Sequence, residues 1–281
     1  MIPKRKREKN VLARVHENSR VQAAETFIFP VLFGVLVLIL WQNQILHKIL
    51  HTDTFTLPLP GRILMIMSDN ADKILSNVGA TVAVAVIGLA AGSVFGYAIA
   101  ILAALFRKWG AAGLGIVAAF NAIPIVALAP VMTNWTKDVS SDAAMRSMVA
   151  KILVVTIVSI ANMSFNAFRG LTELKPFAED LMSSYAASKK ETLIKLRIPN
   201  SVPYIFTALR VAVPSSVISA LVSEYFAEYI VGVGRQIREN IVLAQYASAW
   251  AYIVAACLIG IIMYGILMIV EGIVLKKHVK A

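Results

Sequence analysis

A chain of 281 residues that is 58% hydrophobic and only 15% charged lacks the polar surface to cover itself, since a soluble domain carries about a quarter charged residues. Its mean hydropathy of +0.73 points to a bilayer as its solvent. The net charge of +11 does not mark a nucleic-acid partner, because no basic platform interleaved with aromatic residues accompanies it.

Six runs reach the roughly 20 apolar residues that a helix needs to cross about 30 Å of hydrocarbon. They cover 27–46, 78–106, 113–135, 148–168, 207–230 and 250–275. They are continuous rather than alternating, which predicts helices and not a barrel. The expected fold class is therefore all-α integral membrane with about six transmembrane helices. A single membrane domain over 27–275 would follow a basic flank, 1–26, and precede a short tail, 276–281. With the N-terminus inside, and each charge assigned to the nearer side, 19 of the 27 Lys and Arg residues fall on the inner side. The 16 acidic residues divide evenly, 8 to each side. That asymmetry places both termini in the cytoplasm.

In chain order, the flank PKRKREK would lie against anionic lipid, and the first run reads as an uncleaved span because no small-x-small cleavage site follows it. The loop 47–77 holds LPLPGRI and an amphipathic stretch, ILMIMSDNADKIL, expected to form an interfacial helix. The second run carries Gly88, Gly92 and Gly96, a ladder for close helix approach within the subunit or across a dimer. Pro124 and Pro130 in the third run and Pro214 in the fifth predict kinks. Asn121, Asn134, Asn162, Asn166, Ser215, Ser216, Ser219 and Glu224 are polar groups in or near spans. They either make interhelical hydrogen bonds or line a pathway. Asn121, Ser215, Ser216, Ser219 and Glu224 are the candidates for lining it. Cys257 lies inside the last run, where a buried and inert thiol is expected.

The motifs of catalysis are missing. There is no GxxxxGK[ST] loop, HExxH, CxxC or GxSxG. One Cys and four scattered His do not build an ordinary zinc site. His16, His47, His51 and His278 fall in flanks or loops, where solvated side chains are expected. Paired carboxylates on one buried helix, which a proton-coupled pump favours, are absent; Glu224 and Glu228 come nearest. No enzyme is predicted and no cofactor is expected on this chain, so transport energy would come from a partner.

The longest inner connection, 169–202, is basic and helical in composition. Leu193, Leu196 and Ile198 are spaced to pack back on the bundle, and Pro199 is expected to end the helix. From its residues it is either a solvated loop or a docking helix. The sequence DLMSSYAASKKETLIKLRIPNSVPYIFTALRVAV resembles the EAA loop of ATP-binding-cassette importer permeases, in the nitrate, sulfonate, taurine and pyrimidine-precursor group. LPLPGRI, AIPIVALAPVMTNW and EYFAEYIVGVG resemble further segments of that group, in the same order, over about residues 55–275.

The resemblance implies a type I importer fold and a loop that couples to the ATPase through Asp180, Ser183, Ser184, Tyr185, Ala186, Ala187, Ser188, Lys189, Lys190, Glu191 and Thr192. It also implies two ATPase subunits that hold ATP and Mg, an external solute-binding protein, and a second permease chain. Asp180-Leu181-Met182 replaces the family's Glu-Ala-Ala, and Ala186 replaces a glycine that would bend at positive φ. These departures favour a heterodimer and predict a bend made differently. A secondary transporter driven by an ion gradient, and a membrane scaffold, are the alternatives.

Overall fold

The computed structural model describes residues 19–227, 229 and 231–278, so the flank up to residue 18 and Glu228 lie outside the described residues. The chain forms two compact units, divided after Met65.

In the first unit, α1 (Ser19–Gln42) is apolar from Ile28 onward. It leaves Phe29, Leu32, Phe33 and Leu36 exposed on its surface, as a helix that is hydrophobic all round does in lipid. Gln44, at φ 61, turns the chain into the short α2 (Ile45–Leu50). His47 lies in that helix and is buried, with Nε2 2.6 Å from the Leu57 carbonyl. This corrects the expectation of a solvated ring. A carbonyl only accepts, so Nε2 carries the hydrogen, and the ring closes the turn. The Gly61 N–H donates to Gln42 Oε1 at 3.0 Å at the start of α3 (Pro60–Asp69). Proline suits that first position, where no intrahelical N–H is required.

The second unit is built on long helices. α4 (Ala71–Leu105) runs 35 residues. The expected third span is instead two helices, α5 (Arg107–Ala119) and α6 (Ile125–Trp135), joined through a 3₁₀ turn and an extended pair, Ile123 and Pro124, with ψ 120 and 126. The expectation of a kink is corrected to a break. Proline lacks the N–H and also drives the residue before it out of the helical region. α7 (Ala143–Thr172) begins where the Asp142 carboxylate accepts the Ala144 N–H at 3.0 Å.

α8 (Ala178–Ser184) and α9 (Lys189–Thr192) form the following connection. A π turn over Leu193–Arg197 then leads into α10 (Ile198–Tyr225). Pro199 does not end the helix as expected. It occupies the first turn of α10, just after the π turn that the Ile198 N–H closes on the Leu193 carbonyl, and a first turn tolerates proline. α11 (Val233–Val242) and α12 (Tyr246–His278) complete the chain. Among the described residues, four helices are long and apolar enough to cross a membrane: Ala71–Leu105, Ala143–Thr172, the joined Lys189–Tyr225 and Tyr246–Lys276. No strand occurs among the described residues.

α7 packs between α4 and α10. The glycine ladder serves this packing within the chain. A Cβ on Gly96 would stand 2.7 Å from the Ile160 carbonyl of α7, and Gly88 and Gly92 meet Val155 and Ser159 as closely. Below the ladder, Ala100, Ala104, Met163, Ala167, Leu171 and Ala208 form a core on which Leu193 and Ile198 pack. This is the docking back of the loop base that the sequence predicts. Cys257 is exposed on α12 rather than buried. An apolar surface that faces lipid satisfies a thiol as well as a core does, so position in an apolar run did not decide its burial.

Candidate docking loop and buried polar cluster

The two ends of α10 carry different kinds of irregular backbone. At its N-terminal end, α8 closes with two hydrogen bonds: the Ala187 N–H donates to the Met182 carbonyl at 3.0 Å and the Ala186 N–H to the Ser183 carbonyl at 2.9 Å. With Ala186 at φ 52, this is the Schellman termination, in which a left-handed residue follows the helix. Ala186 therefore takes the positive φ that a glycine would supply, and the expectation of a bend made differently is corrected. An alanine there costs about 1–2 kcal/mol of backbone strain, which two paired carbonyls offset.

Ser188 then starts α9 with a reciprocal cap. Its Oγ accepts the Glu191 N–H at 3.2 Å, and Glu191 Oε2 accepts the Ser188 N–H at 2.9 Å, satisfying two orphan donors. Asp180, Ser183, Ser184, Tyr185, Ala186, Ser188, Lys189, Lys190 and Glu191 are exposed, while Ala187 and Thr192 are half-buried. Ser183 and Ser184 turn their hydroxyls back onto the carbonyls of Glu179 and Leu181.

Among these polar residues the loop also exposes three large apolar side chains. Phe177, Leu181 and Tyr185, four residues apart, are 81%, 58% and 78% exposed. Residues at this spacing share one side of a helical turn. The loop base is tied to the bundle. Arg197 donates to Glu179 Oε1 at 2.8 Å and to the Ala104 carbonyl at the end of α4 at 3.1 Å. Asn200 donates to the carbonyls of Gly170 and Glu173 at the end of α7. The Arg169 guanidinium at 2.9 Å holds the Glu173 carboxyl below the usual carboxylate range. Anything that moves the loop therefore pulls on α4, α7 and α10 together.

At the other end of α10, about 40 Å away along the helix at 1.5 Å per residue, Glu224 is fully buried. Its Oε2 accepts from Thr81 Oγ1 at 3.0 Å and from the Gly234 N–H at 2.9 Å. The Val233 N–H donates to Thr81 Oγ1 and the Gly232 N–H to Asn77 Oδ1, both at 2.9 Å. Lys151, on α7, donates to the Val231 carbonyl at 3.3 Å. Gly232 is at φ 114, and a Cβ there would collide with the Glu224 carboxylate. Three helices thus supply the polar partners that a buried, non-helical segment needs.

Of the candidate pathway residues, Ser216, Ser219 and Glu224 are fully buried within the bundle and Ser215 is half-buried. The three hydroxyls donate to carbonyls three or four residues back, at 2.7–2.8 Å. The Asn121 side chain lies outside the described residues. Asn77, Thr81, Lys151, Arg210 and Glu271 escaped the sequence reading. Lys151, Arg210 and Glu271 are visible as charges inside apolar runs, but which opposite charge on another helix each one meets is not encoded in the spacing along one helix. Arg210 donates to Glu271 from Nη2 at 2.6 Å and from Nε at 2.9 Å, which bridges α10 and α12.

These elements define a multi-pass, all-α membrane protein of the importer-permease type. The sequence profile of the binding-protein-dependent transport system inner membrane component matches residues 92–276, and the chain belongs to that family of ATP-binding-cassette transporter permeases. A formylaminopyrimidine transport permease protein of Halalkalibacterium halodurans is 26% identical over 89% of this chain and 96% of its own. A bicarbonate transport system permease protein of Synechococcus elongatus is 29% identical over 30% of this chain and 31% of its own. The fold is similar to a chain of the inward-facing MetNI methionine transporter, with TM-score 0.59, 16% identity, and coverage of 73% of this chain and 95% of that one.

Proposed function

We propose that this chain is a non-catalytic transmembrane subunit of an ATP-driven importer. It would pair with a second permease chain, two ATPase subunits and an external solute-binding protein. The observation that carries this reading is the apolar face Phe177–Leu181–Tyr185, presented to solvent on a loop whose base is bonded to three helices. An exposed apolar stripe marks a partner's groove, and bonds at the base transmit displacement to the bundle. With the positive-inside asymmetry placing this loop and both termini in the cytoplasm, the partner is the ATPase, where ATP and Mg reside. The chain would then cross six times, with α1 and the α5–α6 pair adding two crossings to the four long helices.

The relative matched over most of both chains carries a formylaminopyrimidine. That full-length match favours a small nitrogen heterocycle as the solute, over the bicarbonate suggested by the shorter match. Ala186→Asp tests the coupling role directly, because aspartate tolerates the left-handed region and so changes the docking face without breaking the bend. ATP hydrolysis that continues while uptake stops, with membrane insertion intact, is the expected result, and deletion of Ser188–Lys190 should do the same. Normal uptake in both variants would overturn the coupling role.

A further inference from the structure

We propose that the notch between the docking loop and the end of α4 binds the headgroup of a monoanionic phospholipid, a phosphodiester that carries a polyol, as in phosphatidylglycerol. The inference rests on the importer reading above, which puts this loop in the cytoplasm.

The notch has a volume of about 340 Å³, within the roughly 300–1,000 Å³ of small-molecule sites. Leu105, at the end of α4, forms one wall, and Glu179, Ser183, Lys189, Thr192 and Arg197 form the others. Leu105 is 46% exposed, and Leu102, one turn deeper in the span, is 56% exposed. Residues three apart share one side of a helix. An apolar ridge therefore leads out of the hydrocarbon and into a polar cavity. The apolar run stops at this level: Arg107 and Lys108 follow Phe106 in the sequence, as at an inner membrane surface.

The charges in the notch choose the ligand. The Arg197 guanidinium donates to Glu179 and to the Ala104 carbonyl, so that pair is neutral. Lys189 is exposed and has no hydrogen bond or ion pair among the described residues. One uncompensated cation matches the single negative charge of a phosphodiester, and its three donors match the phosphate oxygens. Basic pockets at the cytoplasmic ends of spans are where lipid headgroups bind. The hydroxyls define what the phosphate carries. Ser183 Oγ donates to the Glu179 carbonyl at 2.9 Å, and Thr192 Oγ1 to the Ser188 carbonyl at 3.1 Å. With their hydrogens committed to the backbone, both oxygens offer only lone pairs. Acceptors beside a cation suit the hydroxyl hydrogens of a glycerol. A choline headgroup has no donor to give them, and an ethanolamine headgroup brings a second cation beside Lys189.

The test counts lipids retained on the full detergent-solubilised complex by native mass spectrometry. Phosphatidylglycerol should survive delipidation and phosphatidylcholine should not. Lys189→Gln should weaken that retention at least about tenfold, as expected for loss of a charge-assisted contact. Lys190→Gln, which removes the neighbouring lysine outside the notch, should leave it unchanged. Equal losses in the two variants would reveal diffuse attraction to a basic surface and overturn the site. Displacement of the lipid by an equal concentration of inorganic phosphate or glycerol 3-phosphate would overturn the lipid assignment in favour of a soluble anion. An intact complex that retains no phosphatidylglycerol, as when an acidic side chain of the ATPase fills the notch, would overturn it as well. Failure of the importer reading shows separately, as no ATPase subunit co-purifying with the unsubstituted chain.

Discussion

The two ends of α10 solve the same problem in opposite ways. Each has non-helical backbone whose polar groups need partners. The loop at residues 185–188 finds them within five residues, through a Schellman termination and a reciprocal serine–glutamate cap, and so stays largely in solvent. The segment at 231–234 finds them on helices up to 155 residues away in the sequence and is buried by them. Local satisfaction leaves a surface for a partner, while remote satisfaction locks helices to one another. The first region should therefore tolerate change in stability but not in partnership, and the second the reverse.

The sharpest break of that contrast is Glu224→Ala. It leaves the buried Gly234 N–H without its acceptor, while the Thr81 hydroxyl keeps the Asn77 carbonyl, and loss of one member of such a buried cluster costs about 3 kcal/mol or more. A large fall in the thermal midpoint of the detergent-solubilised chain is expected. Glu224→Gln, which keeps an acceptor oxygen, should lose clearly less. Equal losses would show that charge, not hydrogen bonding, holds the segment. Gly232→Ala comes next, because a Cβ at φ 114 adds about 1–3 kcal/mol of strain and meets the Glu224 carboxylate. The same melting experiment reads it.

At the loop end the readout changes. Leu181→Ser combined with Tyr185→Ala should weaken retention of the ATPase subunits on affinity purification about tenfold or more, while the melting midpoint stays within error. A drop in midpoint of the size seen for Gly232→Ala would mean the apolar face packs within the chain instead. The smallest effect is Ala186→Gly. Relief of the left-handed strain should stabilise the loop by about 1 kcal/mol at most, seen as slower proteolysis at 185–188, with coupling preserved.

Much of the fold was legible because bilayer-spanning runs are governed by composition alone. The second, fourth and sixth spans were placed within several residues of α4, α7 and α12. Leu193 and Ile198 pack on the bundle as their spacing required. Elsewhere two local rules competed, and sequence weighed them wrongly. Pro199 was given its helix-ending role when its place in a first turn made it harmless, and Pro124 was given a kink when its effect on Ile123 made a break. Ala186 was expected to avoid the left-handed region, yet two carbonyls awaiting partners outweighed a cost of about 1–2 kcal/mol.

What the sequence by itself determined is the solvent, the class and the order of elements: hydropathy chooses the bilayer, and the charge asymmetry argues for an orientation. It also carried the loop between α7 and α10, because capping and helix termination depend on neighbours a few residues apart. Only the tertiary structure decided that Asn77, Thr81, Lys151 and Glu224 share one site, that Arg210 grips Glu271, and that the glycine ladder meets α7 within the chain. Those pairings join residues far apart along the chain, and which polar group a buried donor finds depends on how whole helices pack. No local pattern encodes that.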